Sequence, residues 1–69
     1  MVIGTVKFFN TIKGFGFIAP DEGGPDVFVH ATAVESAGMQ PLREGQKIGY
    51  TLVTEPRNGK QAASDLQAA

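Results

Sequence analysis

Four turn-forming clusters cut this chain into short intervals, and each interval carries residues that suit a pleated surface. The clusters are Asn10-Thr11-Ile12-Lys13-Gly14, Pro20-Asp21-Glu22-Gly23-Gly24-Pro25, the segment 35–45 with Gly38, Pro41 and Gly45, and Glu55-Pro56-Arg57-Asn58-Gly59-Lys60. The second is the strongest breaker, and Asn58-Gly59 is the dipeptide that favours a turn with positive φ. Between the clusters lie residues 3–10, 15–19, 26–30, 46–54 and 61–66, which hold Val, Ile, Phe, Tyr and Thr. These residue types pack well in strands. Only residues 31–37 suit a helical turn. Five short strands without a sustained 3.6-residue period predict an all-β fold, a small antiparallel barrel or sandwich. The terminal Gln67-Ala68-Ala69 is expected to fray.

At 69 residues and 42% apolar content the chain has material for one domain, residues 1–69, and one minimal core. A chain of this length buries only about 60% of its unfolded surface. It leaves no room for a cofactor pocket, and none is expected. The absence of cysteine removes both a disulfide framework and a thiolate metal site. Six basic against seven acidic residues give a net charge of -1. That excludes a uniformly basic nucleic-acid binder and a polybasic membrane peptide, so any such role rests on local arrangement. No apolar run reaches the length of a signal peptide or a membrane span, and a cytoplasmic location without membrane contact is the expectation.

The local arrangement is aromatic. In Lys13-Gly14-Phe15-Gly16-Phe17-Ile18, alternation puts Phe15 and Phe17 on one face and Gly16 and Ile18 on the other. In Asp26-Val27-Phe28-Val29-His30, Val27 and Val29 oppose Phe28 and His30. The aliphatic set reads as core, which turns three Phe and one His toward water. A lone Phe-x-Phe is more often core than platform. Two such segments, each backed by an aliphatic face and flanked by Lys7 and Lys13, point instead to a binding surface. Flat π-faces with cations at the edge fit the bases and backbone of single-stranded nucleic acid, and stacking is tolerant of base identity. Gly14 and Gly16 are expected to let bases approach closely. On strand 4, Ile48 and Tyr50 are expected in the core.

Gly4-Thr5-Val6-Lys7-Phe8-Phe9-Asn10, the two aromatic segments and Leu42-Arg43-Glu44-Gly45-Gln46 together resemble the bacterial cold-shock protein family over about residues 3–66. The resemblance implies a five-stranded OB-fold barrel that binds single-stranded RNA and DNA, acts as an RNA chaperone and regulates transcription or translation. Carried onto this chain, it implies contacts from Lys7, Phe8, Phe9, Lys13, Phe15, Phe17, Phe28, His30, Met39 and Lys60, with Arg57 as a further phosphate candidate. The chain departs from the family pattern at four places. Phe8 replaces a usual Trp, Ala31 and Met39 stand where aromatics are common, and Lys60 stands in place of Pro. Strict alternation on strand 1 groups Lys7 with Phe9 and Val6 with Phe8, whereas the resemblance implies Lys7, Phe8 and Phe9 near one surface, which requires a bend or bulge.

Other signals fail on context. Gly14-x-Gly16-x-x-Ala19 matches a dinucleotide fingerprint only formally, because Pro20 ends the segment where a helix is required. His30 is the sole histidine, no acidic pair stands at ligand spacing, and no zinc site is expected. No nucleophile-elbow pattern surrounds Ser36 or Ser64, so an enzyme is not expected. Asp21-Glu22 reads as a solvated turn pair. Glu35, Arg43, Glu44 and Glu55 read as loop solubilisers. The competing functional reading is a protein-interaction module using the same aromatic face. A monomer is the simplest assembly, since the sequence shows no second apolar patch and no small-molecule substrate is implied.

Overall fold

The computed structural model describes residues 2–54, 56 and 59–69. They form strands β1 (Val2–Asn10), β2 (Phe15–Pro20) and β3 (Val27–His30), a short helix α1 (Ala31–Ser36), then β4 (Lys47–Thr54) and β5 (Gln61–Ala68). The strands close into a barrel in the order β1-β2-β3-β5-β4. The expected all-β five-stranded OB barrel is what the chain forms, with one correction. It is not antiparallel throughout: β3 meets β5 in parallel, at Phe28 and Ala62. A closed ring of five strands cannot alternate throughout: β4 runs antiparallel to β1 and β5 antiparallel to β4, so β5 meets β3 in the same direction.

The bulge that strand 1 requires is present. Val6 pairs with Ile18 and Phe8 with Phe17, which leaves Lys7 as the extra residue on β1. One unpaired residue inverts the alternation beyond it. Val6 therefore stays inside, almost fully buried, while Phe8 turns outward. The first turn is fixed by Asn10, whose Oδ1 accepts from the amides of Ile12 and Lys13, both at 2.9 Å. Gly14 closes it with φ +80° while its amide donates to the Asn10 carbonyl at 2.8 Å. A side chain is disfavoured at such a φ.

The core consists of Val6, Ile18, Val27, Val29, Val34, Leu42, Ile48, Tyr50, Ala63 and Leu66. Ile48 and Tyr50 are fully buried, as the alternation on strand 4 predicts. Val34 and Leu42 come from a stretch without readable periodicity; α1 and the loop after it cap the barrel end with them. Val27 and Val29 are completely inaccessible. Truncating either to alanine is expected to cost on the order of 1–3 kcal/mol, with the binding affinity of the folded fraction unchanged. A urea denaturation series checks this, and an unmoved midpoint would reverse the assignment of faces.

One expectation is corrected here and another is extended. Gln67 and Ala68 do not fray; they pair with Gly49 and Ile48 of β4. Tertiary pairing overrides what an Ala-rich end suggests by itself. Asp21 is an exposed turn residue, as expected, with a further role as a latch. It accepts from Thr5 Oγ1 at 3.0 Å and from Lys47 Nζ at 2.7 Å, while its amide donates to the Ile3 carbonyl at 3.0 Å. The β2–β3 turn is thereby tied to β1 and β4. The Lys47 ammonium, and then the Thr5 hydroxyl, hold the Asp21 carboxyl below its usual pKa. A depressed carboxyl stabilises the fold above its unfolded pKa, and that stability is lost as pH falls through the folded value. Below pH 4, Asp21→Asn is expected to lose stability less steeply than the parent; equal acid limbs in denaturation midpoints would count against the latch.

Candidate nucleic-acid interface

With Ile18, Val27 and Val29 held inside, the intervening side chains of β2 and β3 face outward. Phe17 sits opposite both Phe8 on β1 and Phe28 on β3, and Phe15 sits opposite His30. The rings form one cluster. Phe17 lies 5.6 Å from Phe8, 6.1 Å from Phe15 and 5.8 Å from Phe28, centroid to centroid. The Phe15 and Phe17 rings meet at 88° and the Phe17 and Phe28 rings at 79°. Phe15 and Phe28 are near parallel at 16° and 5.7 Å. Edge-to-face contacts of this kind hold each ring in place while leaving part of its surface open. Phe8 is 43% exposed, and Phe15, Phe17 and Phe28 are half-buried by one another.

His30 joins the cluster, 6.1 Å from Phe28. Its Nδ1 accepts from the Thr32 amide at 3.3 Å and lies 3.0 Å from Thr32 Oγ1, so the same residue caps α1. The imidazole is exposed yet anchored at one nitrogen. Lys13 is exposed on the β1–β2 turn. Lys7 Nζ donates to Asp26 Oδ2 at 3.0 Å, an ion pair with both side chains largely in water. Such pairs contribute little to stability. Its relevance is to binding, because Asp26 partly neutralises the charge that Lys7 offers a phosphate. The sequence reading did not single out Asp26; its partner is the bulge residue Lys7, 19 positions away and out of reach of a local motif.

Lys60 lines a cleft with Phe17, Pro25, Asp26, Phe28, Thr54, Gly59 and Gln61. It is thus beside the rings, as expected. Arg57 and Glu55 lie outside the described residues, as does Asn58 of the Asn-Gly turn. Phe9 and Met39 are elsewhere. Both are half-buried against the core and share a separate groove with Thr11, Ala31, Val34, Glu35 and Pro41. They are not brought into the ring cluster.

The role expected for Gly16 is wrong. It is buried, opposite Phe9, on the side away from Phe15 and Phe17. A Cβ there would collide with the Phe8 carbonyl oxygen and approach the Phe9 ring to 2.7 Å. Gly16 makes room for β1, not for a base. Nor are exposed apolar residues confined to the ring cluster: Ile3, Ile12, Leu52 and Val53 are also exposed.

Residues 2–69 match the family described as the 'Cold-shock' DNA-binding domain. The chain belongs to the cold-shock domain family. It is 59% identical over 68 residues to the probable cold shock protein y4cH of Sinorhizobium fredii, covering 99% of each chain. It is 61% identical over 66 residues to cold shock protein CspA of Rhizobium meliloti, covering 96% of each. Cold shock-like protein CspA of Vibrio cholerae is 52% identical over 60 residues, 87% of this chain and 84% of that one. The family binds nucleic acid and is not enzymatic. Among the described residues, no cluster of His, Cys, Asp or Glu is suited to a metal ion, and no helix is long and apolar enough to cross a membrane.

Proposed function

We propose that this protein binds single-stranded RNA and DNA by stacking bases on Phe8, Phe15, Phe17 and Phe28. By that means it acts as an RNA chaperone and a regulator of transcription or translation. The observation that carries this reading is the ring cluster itself: four aromatic side chains on the outside of a barrel whose inside, apart from Tyr50, is filled by aliphatic ones. A fold that needed only stability would have them the other way round. His30, Lys13, Lys7 and Lys60 contribute edge contacts. Residues 1–69 act as a single, monomeric cold-shock domain in the cytoplasm. The mechanism is mass action: stacking favours the open strand, weak RNA structure melts or stays melted, and no chemical energy is consumed.

Titration with oligo-dT and with a matched duplex tests the reading. Preferential binding of the single strand supports it; binding of neither would favour a protein-interaction module. Salt dependence tests how the work is divided. Each neutralised single-strand phosphate contributes about -0.7 to the slope of log K against log salt. Two to four contacts give an expected slope of about -1.4 to -2.8. Asp26→Asn releases Lys7 and is expected to strengthen binding at low salt and steepen the slope by up to about 0.7. A parent slope steeper than about -4 would mean that phosphate contacts dominate and the rings are secondary.

A further inference from the structure

The line of paired residues that carries the rings does not stop at β3. Phe8 is opposite Phe17 and Phe17 is opposite Phe28. Across the parallel seam Phe28 pairs with Ala62, and Ala62 pairs with Val53 on β4. Residues paired across neighbouring strands point to the same face of a sheet. One transverse row, Phe8, Phe17, Phe28, Ala62 and Val53, therefore crosses the outside of the barrel. At a strand spacing of about 4.8 Å the three rings cover about 10 Å and the whole row about 19 Å. Its two ends, Phe8 and Val53, are each 43% exposed.

Beyond Phe28 the surface changes character. The small side chain of Ala62 makes a step, and the face dips into a groove of about 410 Å³ bordered by Phe28, His30, Thr32, Val53, Ala62 and Ser64. Among the described residues its lining has no Lys, Arg, Asp or Glu. It offers no ammonium or guanidinium to neutralise a phosphate. An apolar floor rimmed by two hydroxyls and an imidazole instead matches a flat, uncharged ring system with donors and acceptors on its edge.

We propose that this groove is an additional nucleobase subsite. It takes one base beyond the rings, with the base's face on Ala62 and Val53 and its polar edge toward Ser64 and Thr32. The occupant is a base because the groove lies in line with the ring row, directly beyond Phe28, and its lining offers hydroxyls and an imidazole but no Lys, Arg, Asp or Glu. This inference rests on the reading that the ring cluster binds single strands.

The test is a length series of oligo-dT, from about four to about ten nucleotides, within the range of site sizes known for OB folds. It is run on the parent, Val53→Phe, Val53→Thr and Phe17→Ala, with Val53 methyl signals followed by NMR in the parent. Val53→Phe is expected to bind longer oligomers about 5-fold more tightly or better, since it adds a ring for the last base, and the shorter ones unchanged. Val53→Thr should lose the affinity gained with the last added nucleotide, and the Val53 methyls should shift only with the longer oligomers. If both Val53 variants follow the parent at every length and the methyls stay still while Phe17→Ala weakens binding, the subsite is refuted and the ring reading stands. If Phe17→Ala binds like the parent, the ring reading itself has failed. A change equal at all lengths, or a self-association of the parent that Val53→Thr abolishes, would also overturn the subsite, the latter by placing a second copy of the chain there.

Discussion

Gly16→Ala is expected to abolish cooperative folding or to cost about 3 kcal/mol or more, the upper end of what overpacking does. The added methyl would collide with the Phe8 carbonyl oxygen and come within 2.9 Å of Phe9 Cα. A ring can rotate away from a new neighbour; backbone in a hydrogen-bonded ladder cannot. Relief requires β1 and β2 to separate, at the point where the bulge already interrupts their register. A barrel this small starts near the low end of the usual 5–15 kcal/mol. Gly23→Ala is the control: its φ is +95°, but nothing lies within 4 Å, so only the local backbone penalty of roughly 1–2 kcal/mol applies. Urea or thermal denaturation of the two variants side by side decides the matter. A Gly16→Ala midpoint no lower than that of Gly23→Ala would show that β1 yields more easily than its contacts imply.

Phe17→Ala is expected to have the largest effect on binding, a loss of about 1–3 kcal/mol, or roughly 5- to 150-fold in affinity for oligo-dT. Phe17 is the centre of the cluster, in contact range of Phe8, Phe15 and Phe28. Its removal deletes one stacking face and takes away edge contacts from Phe15 and Phe28 and a tilted contact from Phe8. Because its side chain lies outside the barrel, stability should fall less than for Val27→Ala. If Phe17→Ala unfolds the barrel while the residual folded protein binds normally, the ring belongs to the core and the proposed platform is not one.

Much of this was legible in the sequence because it depends on neighbours in the chain. Alternation separated Phe15, Phe17 and Phe28 from Ile18, Val27 and Val29, and placed Ile48 and Tyr50 inside. The break in strand 1 was expected as a bend or bulge once the family resemblance was set against alternation; its place at Lys7 comes from the pairing with β2. The unreadable features all depend on partners distant in sequence. Asp21 becomes a latch only because Thr5 and Lys47 arrive beside it. Gly16 looked like clearance for a ligand, because the strand that needs the space becomes its neighbour only when the hairpin forms. Val34 and Leu42 lie in a segment with no period, and burial at a barrel end demands none. The family resemblance supplied Phe9 and Met39 as contacts, whereas both pack against the core and line a groove separate from the ring cluster.

The closed order of the strands has a consequence for how such a surface can exist at all. Chains rich in β-structure and exposed rings invite their own kind, and the usual point of attachment is a bare outer strand whose amides and carbonyls offer a ready rail for the next molecule. Here each strand has a neighbour on both sides. The adhesive part of the molecule is confined to side chains, and the part that would propagate a fibre is consumed internally. A flexible strand of bases can settle on the rings one at a time, whereas a rigid second barrel can touch them only at a tangent. The thinnest place in this enclosure is the single parallel pairing of Phe28 with Ala62. Were the ring of strands to come apart there, the rails of β3 and β5 would be uncovered directly beside the aromatic face.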